Sequence, residues 1–185
     1  MKKIANLLFE AKMLKEIPRS GFHFLGSGQE SVAEHTFSTT FIAYVLAQLQ
    51  PDIDALKLMS MCLVHDLPEA RTGDLNTVHK MYVTANEAKA VEDTTTGLPF
   101  GSAITDLIQE YNQNRSAEAK LAHDADQIAL ILELKYLSDI GYSPPDTWLP
   151  HVIERIQTKI AKKLTHSIME THRDEWWLHN VVDTD

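Results

Sequence analysis

The sequence predicts an all-α fold, a single compact bundle of about six to seven helices. Three observations carry that prediction. Apolar residues recur at three- and four-residue intervals along most of the chain. Side chains that cap helices stand at the starts of those runs, with glycines or prolines near their ends. No stretch alternates apolar and polar residues as a half-buried strand would, and no internal repeat or low-complexity segment is present.

The elements follow in order. Ile4, Leu7, Leu8, Ala11 and Leu14 define a first helix, with Pro18 just beyond its end. The glycines and serines of "SGFHFLGSGQE" (20–30) read as loop. Ser31 and Glu34 stand in capping-box relation, so a second helix runs from Ser31 to about Gln50. Asp52 is placed to cap a third, whose apolar run "LKLMSMCLV" leads into His65 and Asp66. Residues 72–83 read as loop, followed by a short amphipathic stretch at 84–95 that stops near Gly97 and Pro99. Ser102 is placed to cap "AITDLIQEYNQN", and Ser116 to cap a longer helix that Gly141 ends. A last helix is expected from about Thr147 to Thr171, packing on the bundle ahead of "DEWWLHNVV". One domain is expected to span 1–185.

With 17 basic and 26 acidic residues the chain carries a net charge of −9. Such a surface repels a phosphate backbone, which argues against a non-specific nucleic-acid binder, although a bound cation would still admit a small phosphorylated ligand. Cys62 is the only cysteine, so neither an internal disulfide nor a Cys-rich zinc site is available, in keeping with a reducing compartment. The N-terminal stretch lacks a signal-peptide pattern, and nothing approaches the ~18 apolar residues of a membrane span. The chain reads as soluble and cytoplasmic.

The chemistry concentrates at "CLVHDLPEARTGDL" (62–75), where a core-like helix ends in ionisable residues. His35 lies near the start of the preceding helix. The helix after Ser116 is apolar nearly all round and therefore buried, yet it carries Asp124 and Asp126. A buried carboxylate needs a cationic partner. Two histidines and two carboxylates, with no thiolate, suit Mn, Fe, Co, Ni or Zn and leave open positions for water and substrate. Periodicity alone does not choose between Asp124 and Asp126. Taken singly, each residue also has an ordinary structural use.

The segments "PRSGF" (18–22), "ESVAEHTF" (30–37), "LVHDLPEARTGDL" (63–75) and "AKLAHDADQI" (119–128) together resemble the HD-domain metal-dependent phosphohydrolases. The similarity covers about the first three quarters of the chain and is strongest to the small all-helical 5′-deoxynucleotidases. The Trp176–Trp177 pair is also seen in that group. The resemblance implies His35, His65, Asp66 and Asp126 as ligands of one divalent metal per chain. It implies Glu69 and Asp74 as catalytic residues, Arg19 as a phosphate contact, and a homodimer. Glu69 follows His65 by four residues, so a continued helix would face both to one side, where a raised pKa would suit a proton donor. Arg19 offers a planar fork for phosphate. Relatives often carry a tryptophan soon after that arginine. Here Phe22 is the nearest aromatic and the candidate for stacking on base or sugar. Asn76 follows "TGDL" where relatives often have proline.

The activity implied is removal of the 5′-phosphate from nucleoside monophosphates, deoxyribonucleotides first. Two rival readings stay open: hydrolysis of another phosphate ester, such as a nucleoside triphosphate or a cyclic or signalling nucleotide, and a non-catalytic metal-binding regulatory protein.

Overall fold

Ser31 accepts a hydrogen bond from the Glu34 N–H at 3.2 Å, and the Glu34 carboxylate accepts from the Ser31 N–H at 2.7 Å. That reciprocal cap starts the second long helix where the sequence places it. The structure, a computed structural model, describes the backbone of residues 1–182 and the side chains of 1–178. All of its regular elements among the described residues are helices: α1 (Lys2–Met13), α2 (Phe22–Leu25), α3 (Val32–Leu49), α4 (Ala55–Val64), α5 (Glu69–Thr72), α6 (Thr77–Lys80), α7 (Glu87–Thr95), α8 (Gly101–Gln113), α9 (Ala117–Asp139), α10 (Pro145–Ile153), α11 (Lys159–Glu170) and α12 (Glu175–Val182).

The all-α expectation holds, but twelve helices replace six or seven. Part of the excess is single turns inside predicted loops. The four-residue helices α2 and α6 lie in 20–30 and 72–83. Pro18 and Ser31 bridge across the first of these loops. The expected helix 147–171 is in fact two helices, α10 and α11. Thr158 caps α11, accepting from the Ala161 N–H at 3.3 Å, and no glycine or proline marks the break. Two other caps also differ. Asp54, not Asp52, caps α4, and α8 starts at Gly101 without a side-chain cap, so Ser102 lies inside it. Among the described residues no helix is long and apolar enough to cross a membrane.

α9 is the central element. Its 23 residues extend about 35 Å at 1.5 Å each, and it packs against α3, α4, α8, α10 and α11. Ala122, Ala125, Ile128, Ile131 and Leu134 are buried along it, as its all-round apolar pattern requires. They join Leu46 of α3, Leu58 and Met61 of α4, and Leu149 of α10 in the main core. A second cluster, with Leu14, Val32, Leu67, Val91 and Ile108, lies under α1, α7 and α8. Along α3, Val32 belongs to the second cluster and Ile42 to the first. Across the end of α4, Cys62 belongs to the first and Leu67 to the second. His35 and His65 therefore sit where the two apolar clusters meet.

Candidate metal centre

α3 and α4 pack against each other and against α9, which aims side chains from three distant segments at one point. His35 projects from the first turns of α3 and is fully buried. α4 ends at Val64; His65 and Asp66 occupy the turn that follows, before Pro68 and α5. Asp126 lies on α9. The ligand atoms of His35, His65 and Asp126 all lie within 4.8 Å of one another, a group that could hold a metal ion. His35 Nε2 is 2.8 Å from Asp126 Oδ1. Asp66 stands at the edge of this group, its Oδ2 3.2 Å from His65 Nε2 and 3.9 Å from His35 Nε2.

These separations fit a shared ion. Adjacent ligands of an octahedral ion at about 2.1 Å lie about 3.0 Å apart, and opposite ones about 4.2 Å. His65 Nε2 and Asp66 Oδ2 are both buried without a hydrogen-bond partner, although they are 3.2 Å apart. They approach without hydrogen-bonding geometry, as two ligands aimed at a third body do. The outer atoms of two ligands are tied down: His65 Nδ1 bonds to the Cys62 carbonyl at 2.7 Å, and Asp126 Oδ2 accepts from Gln127 Nε2 at 2.7 Å.

Asp124, two residues before Asp126, does something else. Its carboxylate is fully buried and accepts the N–H groups of Gln157 at 2.6 Å and Thr158 at 2.9 Å. It anchors the N-terminus of α11 and takes no part in the centre.

Around the three-residue group stand the other residues singled out in the sequence. Arg19 Nη1 is 3.6 Å from both Asp66 Oδ2 and Asp74 Oδ1. Asp74 follows Gly73, whose φ of 72° makes the turn that a side chain would strain. Its Oδ2 accepts the Ser20 N–H at 2.6 Å, and Asn76 Nδ2 donates to Ser20 Oγ at 3.0 Å. Asn76 also caps α6, accepting from the Val78 and His79 N–H groups. The loop is thus pinned to the arginine segment by side-chain bonds. Arg71, inside the same motif, turns away and pairs with Glu10 of α1.

Burial and charge set the protonation pattern of the metal-free protein. Burial, then the charges of Asp66 and Asp74, pushes the Glu69 carboxyl up to about 9. Burial opposes protonation of His65, but the Asp66 carboxylate outweighs it and raises His65 to about 9. Burial likewise opposes ionisation of Asp126, and the bond to His35 outweighs it, holding that carboxyl well below its ordinary range.

Arg19, His65, Asp66, Glu69, Asp74 and Asp126 line a single cavity of about 850 Å³. Phe22 contributes to its wall but is only 8% exposed and belongs to the main core. Gly28 permits that packing: at φ 89° it has no Cβ, which would fall 2.8 Å from the Phe22 ring. The exposed aromatic of that segment is Phe24, at 54%, which lines the same cavity with Tyr111 and Trp148. None of these three drew notice in the sequence, nor did Gln127. Their signal is purely spatial.

A profile of the HD domain matches residues 11–168. The 5′-deoxynucleotidase HDDC2 of Homo sapiens is 28% identical over 137 residues; the match covers 71% of this chain and 66% of that protein, just under two thirds of its length. The protein of that name from Dictyostelium discoideum is 30% identical over 133 residues, 65% of this chain and 70% of its own. In three dimensions, the PH0347 protein of Pyrococcus horikoshii superposes with a TM-score of 0.76 at 28% identity, over 90% of this chain and 98% of that one. The profile brackets every side chain of the centre, and this chain belongs to the HD-domain family.

Proposed function

We propose that the chain is a divalent-metal-dependent phosphohydrolase that removes the 5′-phosphate from nucleoside monophosphates, deoxyribonucleotides first. The observation that carries this is the company kept in one cavity: a buried carboxyl raised to about 9, Glu69, and a cation, Arg19, beside the His35–His65–Asp126 group. The activity named for the HDDC2 relatives supports the choice of substrate. A regulatory protein without catalysis would have no need of both Glu69 and Arg19 there.

His35, His65 and Asp126 would hold the ion, with Asp66 completing the set. When bound, the ion supplies Lewis-acid stabilisation of the phosphoryl group and lowers the pKa of water. Arg19 offsets charge on the phosphoryl oxygens. Asp74 orients the attacking water and receives its proton as the new P–O bond forms. Glu69, kept protonated by its surroundings, gives its proton to the 5′-oxygen as the old P–O bond breaks. Nucleoside and inorganic phosphate are the products. Phe24, Leu130 and Trp148 offer the apolar wall on which base and sugar would rest. The proposal includes a cytoplasmic homodimer, the assembly the family resemblance implies.

The test is phosphate release by metal-stripped protein reloaded separately with Mn, Co, Ni, Zn and Mg. Deoxy- and ribonucleoside mono- and triphosphates form the panel, with His65→Ala as the contamination control. Release from monophosphates that needs the metal and is absent in the control is the expected result. A bound ion with no release from any monophosphate overturns the proposal; release from triphosphates alone moves it to that ester.

A further inference from the structure

Among the ligand-type side chains of the centre, His35 stands apart in its outer contacts. Its Nδ1 is buried without a hydrogen-bond partner, while Glu30 Oε2 lies 3.8 Å away. The imidazole is 0% exposed, so bulk water does not reach that nitrogen. A neutral imidazole that offers Nε2 to an ion carries its proton on Nδ1, and a buried N–H requires an acceptor.

Glu30 poses the complementary problem. It is 7% exposed, and a glutamate is seldom so buried without a partner. Among the described residues its carboxylate takes part in no hydrogen bond and in no ion pair with lysine or arginine. Its backbone is well fixed: the carbonyl accepts the Arg19 N–H at 2.8 Å, next to the Pro18–Ser31 bridge. The carboxylate thus lies beside the Nδ1 edge of the ring whose Nε2 edge meets Asp126.

We propose that Glu30 is the positioning residue of His35: its carboxylate accepts the Nδ1 proton, fixing the tautomer and ring orientation that leave Nε2 free for the ion. Gln127 and the Cys62 carbonyl serve Asp126 and His65 in the same way. The inference rests on the metal-centre reading and is independent of the substrate.

The test measures Mn²⁺ affinity of the metal-stripped full chain by titration, for wild type, Glu30→Leu, Glu30→Gln and Glu133→Gln. The ¹⁵N shifts of the His35 ring in the wild type loaded with diamagnetic Zn²⁺, where Nε2 faces the ion, are recorded alongside. Glu133 is a neighbouring carboxylate outside the centre and controls for general negative charge. Expected are a loss of about 10- to 100-fold for Glu30→Leu, partial rescue in Glu30→Gln, whose amide oxygen still accepts an N–H, and no change beyond about twofold for Glu133→Gln. The wild-type His35 ring should carry its proton on Nδ1. A folded Glu30→Leu protein with wild-type affinity overturns the inference, as does an equal loss in Glu133→Gln. If Glu30→Leu does not fold, the ring shifts decide: a wild-type His35 protonated only on Nε2 overturns it. A wild type that binds no divalent ion overturns both this and the proposed function. One that binds the ion yet hydrolyses nothing removes only the latter.

Discussion

His35 Nε2 and Asp126 Oδ1 lie 2.8 Å apart, although 91 positions separate them in the chain. The packing of α3 on α9 makes that contact, and the distance is close to the ~3.0 Å between adjacent ligands of one octahedral ion. The fold itself thus brings together two of the side chains that would hold an ion.

Metal should therefore stabilise the folded chain. At a free-ion concentration of 100 times its Kd, the gain is about 2.7 kcal/mol, seen as a rise in Tm. His65→Ala should lose both that rise and turnover. A variant that keeps the metal-dependent rise would show that His65 is not a ligand.

Glu69→Gln should keep ion affinity within a few fold and lower kcat by about 10²- to 10³-fold, because an amide cannot supply the proton for the departing oxygen. Turnover at the wild-type rate would remove Glu69 from the reaction.

The metal-free chain should lose stability as pH rises from 4.5 to about 9. Glu69 ionises near 4.5 when unfolded but holds its proton up to about 9 when folded. His65, ordinarily at 6.5, likewise binds its proton more tightly in the fold, up to about 9. Each contribution is complete below the unfolded value and lost as pH passes through the folded one. Asp126 has the opposite sign and matters only in acid, below 3.8. Tm of metal-stripped protein at pH 5, 7 and 9 should fall in that order, and a saturating ion should flatten the trend. A rise toward pH 9 would contradict the assigned protonation states.

Asp124→Ala should cost about 2 kcal/mol in urea unfolding, because two N–H groups at the α11 N-terminus lose their buried acceptor. Ion affinity of the folded variant should stay near wild type. A loss of the ion with little loss of stability would place Asp124 in the centre after all.

Much of the fold was legible in local chemistry. Ser31 and Ser116 cap α3 and α9 as their positions predict, and the apolar circumference of α9 marks it as the buried helix. The departures come from alternatives that lie a few residues apart. Asp52 and Asp54 are both able to cap, and the chain uses the one that meets the Lys57 N–H. α10 closes at Glu154 and Thr158 starts α11, in a stretch without glycine or proline. That break is stabilised by Asp124, 34 positions away, which no window of local sequence contains.

By itself the sequence determined the all-helical class, the buried axis and the types of side chain able to bind a divalent ion, because helical period, capping and ligand chemistry are local properties. The family resemblance pointed to Asp126, but only the tertiary structure shows that it meets His35 while Asp124 holds a helix end, that Phe24 and not Phe22 is the exposed aromatic of the cavity, and that Glu30 lies beside His35. Residues two apart on a helix point about 200° from each other, so nearly identical sequence neighbourhoods face different elements. Which element each one faces is fixed by how α3, α4 and α9 pack.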